Sequence, residues 1–414
     1  MAISGLITFT IVLAAVFAYL NHRFIKWPPT IGIMVLSLGT SVALVLFGQV
    51  YPALVDNAKQ LAASINFREL LMNFMLSFLL FAGAIHIDAG KLKKEAWPVL
   101  LLSTLGTLIS TTLVGGMTWE VFQLFYFPIP FIYCLLFGAI ISPTDPIAVL
   151  AILRRANIPE SLDVKISGES LFNDGVAVVI FVTLLEAAHS GISAVDLIGV
   201  GKLFLQEGIG GLLFGAILGY LGYFTLRSID DYKVEVLVTV AIVAGGYYVA
   251  GHMHVSGPLA MVVAGIITGN KTRHEALSDT SKDYLVKFWE LIDEILNAIL
   301  FMLIGLEMLV IKINGMLLLI GVIGIFIALF ARWVSVFLPV MLLRFRMRFE
   351  KNTIAILTWG GLRGGLSVAL ALSLDQSMYR DEFLVITYII VVYSILVQGL
   401  TIGSFARRLQ KTGR

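Results

Sequence analysis

Charge and cysteine are what this sequence has least of. Of 414 residues only 14% are Asp, Glu, Lys or Arg, and Cys134 is the single cysteine. One thiol cannot close an internal disulfide, and a metal centre built on clustered thiolates is excluded with it. The formal net charge of +2 is too small to hold a polyanion, so a nucleic-acid partner is not expected. Histidine is also scarce, at six. The pair His252 and His254 looks like a metal-binding fragment, but it lies at the end of an apolar run with no further His or Cys nearby, and is read as loop. No apolar run carries a central histidine beside a serine, and the G-x-G-D pattern of membrane aspartyl proteases is missing, so neither an intramembrane enzyme nor a cofactor is expected.

Apolar residues fill the space that charge leaves. They make up 58% of the chain, against about 45–50% in soluble domains, and the mean hydropathy is +0.93. The lipid bilayer is therefore the solvent. Windows of about 20 apolar residues, enough to cross roughly 30 Å of hydrocarbon, recur near 3–21, 29–49, 68–87, 96–118, 129–153, 162–188, 203–226, 233–250, 256–270, 284–309, 316–343, 352–374 and 383–405. Runs this long are not the ten-residue alternating strands of a barrel. The expected fold is an all-α polytopic bundle of about thirteen transmembrane helices.

Lys and Arg fix the orientation. The ends that follow odd-numbered spans hold 22 of the 29 basic residues, the opposite ends hold 5, and Arg332 and Arg363 lie within spans. This places the N-terminus outside and the C-terminus in the cytoplasm, with residues 406–414 a short basic tail. Arg332 is read as snorkelling or pairing locally. Glu290, Asp293 and Glu294, at the cytoplasmic start of the tenth span, read as helix-entry charge, with a wetted cation funnel as the alternative.

Two spans are interrupted. "FGAIISPTDPIAVL" brackets Thr144 and Asp145 with Pro143 and Pro146 at membrane depth, where proline removes backbone donors. "LTWGGLRGGLSVAL" surrounds Arg363 with four glycines, each weakening the helix. If spans 1–6 and 8–13 form two inverted six-helix repeats, each interruption is the fifth helix of its repeat, so that the broken helices cross, which marks a transporter site. Asp145 and Arg363 are then candidates to compensate the half-helix dipoles.

Between the interruptions lies "ISGESLFNDGVAVVIF", with Glu169 and Asp174 inside an apolar run. At about 100° per residue, Glu169 shares a face with Asn173, Ser170 shares one with Asp174, and the two acids stand roughly 140° apart. One carboxylate is therefore assigned to structure and the other to chemistry. A buried charge needs a partner, and Glu169 with Arg363 is the economical ion pair. That leaves Asp174 to bind an ion or a proton.

"SPTDPIAVLAIL", "SGESLFNDGVAVVIF" and "GGLRGGLSVALAL", in that order, resemble the NhaP-type monovalent cation:proton antiporters, relatives of the animal sodium/proton exchangers. The resemblance implies a homodimer in the cell membrane, with interface helices at about 1–95 and 200–310 and mobile core helices at about 96–199 and 311–405. It implies that Asp174 binds the ion, with Asn173, Ser170, Thr144 and Asp145 around it and Glu169 bridged to Arg363. An Asn-Asp pair, in place of two adjacent aspartates, implies electroneutral exchange of one cation for one proton. Some relatives carry an acid in the third helix, and "LSFLLFAGAIH" has none. A hard alkali cation wants oxygen ligands, which Asp174, Asp145, Ser170, Thr144 and freed carbonyls around Pro143 can offer. Sodium is the expected cation, with lithium and potassium as alternatives, and a passive cation channel is the competing class.

Overall fold

The computed structural model describes residues 3–47, 67–156, 158–189, 197–272, 278–309, 311 and 314–412. Every element among them is helical, as a lipid solvent requires when each backbone N–H and C=O must be satisfied within the protein. In chain order they are α1 (Ile3–Leu20), α2 (Pro29–Phe47), α3 (residues 67–85, with a π turn at Leu71–Met75), α4 (Ala89–Lys94), α5 (Ala96–Leu124, with a π turn at Leu102–Gly106), α6 (Phe131–Ile141), α7 (Ile147–Arg155), α8 (Glu160–His189) and α9 (Leu197–Arg227). There follow α10 (Tyr232–His252), α11 (Gly257–Ile267), α12 (Asp279–Glu307), α13 (Gly315–Leu343), α14 (Thr353–Trp359), α15 (Gly365–Leu372) and α16 (residues 380–412). Among the described residues, eight helices are long and apolar enough to cross a membrane.

Two packing groups emerge. In one, α2 and α3 lie against α12, and α11 sits between α3 and α9. In the other, α13 packs on α5 and α16, α5 on α6, and α15 on α16. Helix α8 touches both, meeting α6 on one side and α9 and α11 on the other. Helices in lipid gain no hydrophobic drive from meeting one another, so small residues and close packing decide which faces join. Gly115 on α5 faces the Cys134 carbonyl, and Gly138 on α6 faces Thr111. Hydroxyls add to this: Ser37 Oγ donates to the Met302 carbonyl at 2.6 Å and Ser41 Oγ to the Gly305 carbonyl at 2.9 Å, tying α2 to α12.

The two interrupted spans stop where the sequence places their breakers. Helix α6 ends at Ile141 and α7 begins at Ile147, while α14 ends at Trp359 and α15 begins at Gly365. The gaps cross each other. The Asp145 N–H donates to the Leu362 carbonyl at 2.8 Å, in an isolated antiparallel bridge.

The α5–α6 contact is testable through its glycines. A Cβ at Gly138 would sit 2.1 Å from the Thr111 carbonyl oxygen, whereas one at Gly116 meets nothing within 4 Å. Gly138→Ala should lower the melting temperature in detergent, by an overpacking cost of about 1–3 kcal/mol. Gly116→Ala should leave the melting temperature in place or raise it.

Candidate functional site

The crossing exposes the ends of four half-helices, and polar side chains take up three of them. Helix α6 points the negative end of its dipole at the break, and Arg363 answers it: Nη1 donates to the Ser142 carbonyl at 2.5 Å and to the Pro143 carbonyl at 2.9 Å. At the end of α14, Gln398 Nε2 donates to the Trp359 carbonyl at 3.0 Å. The Gln398 Oε1 accepts from Ser394 Oγ, which in turn accepts the Arg363 N–H at 3.0 Å. The Asp145 carboxylate lies over Gly364, the N-cap of α15, where a Cβ would stand 2.5 Å from Oδ2. A carboxylate at a helix N-terminus is favourably placed, and glycine is what lets it come so close.

Glu169 does not pair with Arg363. It is held by Arg332, whose Nη1 reaches Oε1 at 2.5 Å and whose Nη2 reaches Oε2 at 2.8 Å. Arg332 is itself buried, at 6% exposure, so it neither snorkels nor pairs locally. Its Nε and Nη2 also donate to the Leu357 carbonyl near the end of α14, at 3.2 and 3.1 Å. The reason is geometric. A Cβ at Gly361 would lie 2.4 Å from Arg332 Nε, so the glycine leaves room for the guanidinium of α13 to slot between α14 and α8. Arg363 has the carbonyls of the other break to satisfy instead. Its Nη2 remains buried without a partner among the described residues.

Helix α8 supplies the remaining groups. Asn173 lies on the Glu169 face, as its spacing predicts, and Nδ2 donates to Glu169 Oε1 at 3.2 Å and to Thr144 Oγ1 at 2.8 Å. Ser170 Oγ donates to the Thr144 carbonyl and lies 3.3 Å from the Thr144 hydroxyl. Thr144 is therefore clamped to α8 by two side chains. The carbonyls of Ser142, Pro143 and Thr144, which the sequence suggests as ion ligands, already accept from Arg363 and Ser170 in this state. Among the described residues, Asp174 makes no hydrogen bond or ion pair. It is half-buried, within electrostatic reach of Asp145 and Glu169. Beside it, Gly175 lets α11 approach, since a Cβ there would meet Leu259 Cδ2 at 2.5 Å.

A cavity of about 1210 Å³ leads toward this site. Its lining includes Pro146 and Leu171, within one turn of Asp145 and Asp174 in sequence, and the exposed Lys91, Arg154 and Glu160. Lys91 Nζ lies 2.5 Å from Glu160 Oε1, and that hydrogen bond holds the exposed ammonium above its ordinary pKa. Glu290, Asp293 and Glu294 line the same cavity, as the funnel alternative expects. His252 and His254 are exposed, and the His252 ring meets the Tyr248 carbonyl at 3.0 Å. The sequence reading missed the roles of Arg332, Ser394 and Gln398. Only Arg332 left a signal, a cation in the middle of a 29-residue apolar helix.

Removing one member of the Arg332–Glu169 pair leaves a buried charge alone, at a cost on the order of 3–5 kcal/mol. Glu169→Gln and Arg332→Met should each lower thermal stability, and the double variant should recover part of the loss. A non-additive double-mutant cycle read by melting temperature checks this, and the corresponding cycle between Glu169 and Arg363 should show the weaker coupling.

Residues 11–408 match the family described as sodium/hydrogen exchanger, transmembrane. The chain is 49% identical over 408 residues to the Na(+)/H(+) antiporter NhaP of Pseudomonas aeruginosa, covering 96% of this chain and 95% of that one. It is 34% identical to the Na(+)/H(+) antiporter NhaH of Halobacillus dabanensis, over 89% of this chain and 91% of that one. In fold it resembles the sodium proton antiporter MjNhaP1 of Methanocaldococcus jannaschii, with a TM-score of 0.77 and 19% identity across 99% of this chain and 98% of that one. Family match, relatives and fold agree with the crossed interruptions and the buried carboxylates, and the chain belongs to the sodium/hydrogen exchanger family of secondary transporters.

Proposed function

We propose that the chain is an electroneutral antiporter that trades one sodium ion for one proton across the cell membrane, with Asp174 as the exchanging group. The observation that carries this is the isolation of Asp174. Glu169 is neutralised by Arg332, Asp145 faces a helix N-terminus and Arg363 a helix C-terminus, while Asp174 has no counter-charge beside it among the described residues. A proton and a sodium ion can each supply the missing positive charge, and each excludes the other. Competition for one carboxylate is then sufficient coupling. A loaded, neutral site can pass the low-dielectric barrier, and the empty, charged site cannot do so cheaply.

In the loaded state Asp174 and Asp145 give carboxylate oxygens and the Thr144 and Ser170 hydroxyls complete the ligand set, as a hard cation prefers. Asn173 keeps Thr144 in register and adds no charge of its own. Sodium and protons are cargo, and the scheme uses no cofactor. The thirteen-span, two-repeat topology, with the N-terminus outside and the C-terminus in the cytoplasm, is supported by the two broken segments and by the bias of basic residues. The division into interface helices (1–95 and 200–310) and core helices (96–199 and 311–405) is supported by the two packing groups. A homodimer joined through the first group fits the exposed apolar faces of α1, α9 and α10.

Sodium-dependent proton movement in proteoliposomes tests the proposal. Asp174→Asn should abolish exchange while the protein remains folded by melting temperature. Near-wild-type exchange by a folded variant removes the assignment. In the wild type, raising the proton concentration on one side should raise the apparent KM for sodium on that side without lowering the rate at saturating sodium. A fall in the saturated rate with unchanged KM would point to separate sites.

A further inference from the structure

Among the described residues, the cavity wall holds an acceptor without a hydrogen-bond partner. Asn297, on α12, is 3% exposed, and its Nδ2 donates to the Asp293 carbonyl at 2.8 Å and to Asp293 Oδ1 at 3.0 Å. Those two bonds fix the amide's orientation, because the flipped form would set an oxygen against two acceptors. The Asn297 Oδ1 is thereby left buried with no hydrogen-bond partner among the described residues, on the wall of the same cavity that Asp293 lines. Buried acceptors are costly to leave unpaired. A carboxylate and a free amide oxygen one helical turn apart are the oxygen donors that a hard monovalent cation prefers, with water from the cavity to complete the shell.

We propose that Asp293 and Asn297 form a staging site for a monovalent cation between the cavity mouth and the exchanging carboxylate. Glu290 and Glu294, on the same wall, raise the local cation concentration. From Asp293 the path continues inward. Asp293 shares the cavity wall with Pro146, the neighbour of Asp145, and with Leu171, one turn before Asp174. Helix α12 is tied to α2 through Ser37 and Ser41, in the packing group that lacks the broken helices. A cation resting there is handed across the boundary between the two groups.

The purpose of this site rests on the antiport reading, but its occupancy does not, and the experiment separates the two. Crystals of the Asp174→Asn variant and of the wild type are soaked in thallium(I), whose anomalous scattering marks a monovalent cation. A peak within ligand distance of both Asp293 and Asn297 is expected in each, and absence of that peak in both overturns the proposal. In oriented proteoliposomes, Asp293→Asn and Asn297→Leu should raise the apparent KM for sodium presented on the cavity side by roughly fivefold to tenfold, the effect of losing one short-range charge or ligand along a wet path. Sodium KM on the far side should not change, and Asp293→Glu should restore the cavity-side value. An equal rise on both sides, or no rise in either variant, overturns the staging role. Failure of the antiport reading would appear separately, as wild-type vesicles without sodium-dependent proton movement.

Discussion

Everything at the centre of this protein is organised by the cost of holding an ionised group at membrane depth. Four charged side chains meet near the crossing in addition to Asp174, and each has a specific counterweight. Arg332 and Glu169 form a bidentate pair, Arg363 faces the carbonyl end of α6, and Asp145 faces the amide end of α15. Two of these four solutions use a helix end in place of a counter-ion, which is available only because both spans are broken. Interruptions that look like defects in a bilayer are therefore what makes the charge arrangement affordable. Asp174 is the group left over.

The same geometry links chemistry to motion. Thr144 belongs to the first break but is clamped to α8 by Asn173 and Ser170, and Leu357, at the end of α14, is clamped by Arg332, which also holds α8 through Glu169. Both broken spans are thus fastened to the helix that carries Asp174. Helix α8 in turn borders α9 and α11 across packed side chains and one glycine, Gly175, and its Glu160 and Lys165 reach Lys91 and Glu95 at one end. Buried polar contacts to the broken spans, with close apolar packing of Leu259 against Gly175 toward α11, suit a sliding boundary. The large cavity, with acids and bases both in its lining, opens along that boundary.

Much of this was legible in the residues, and what was not has a physical reason. Pro143, Pro146 and the glycines around Arg363 mark both breaks because proline and glycine act locally, through the backbone alone. Helical periodicity placed Asn173 with Glu169 and set Asp174 apart, since angular spacing on a single helix needs no tertiary knowledge. The identity of Glu169's partner was different. Two arginines lie in apolar spans, and sequence spacing cannot say which reaches α8. Gly361 decides it by opening a slot for Arg332, and the Ser142 and Pro143 carbonyls decide it again by claiming Arg363. Pairing between distant helices is set by which orphaned group is nearest, and that is a property of the folded crossing. Asn297 was silent for the same reason: an amide in an apolar helix is unremarkable until its neighbours are known.

The central claim is that one unpaired carboxylate carries both cargoes, and counting protons at the moment of sodium binding tests it most directly. Purified protein in weakly buffered detergent, given saturating sodium across a range of pH, should release protons in an amount that peaks at no more than one per chain. The release should vanish in Asp174→Asn and persist in Asp145→Asn. Undiminished release from folded Asp174→Asn would contradict the account.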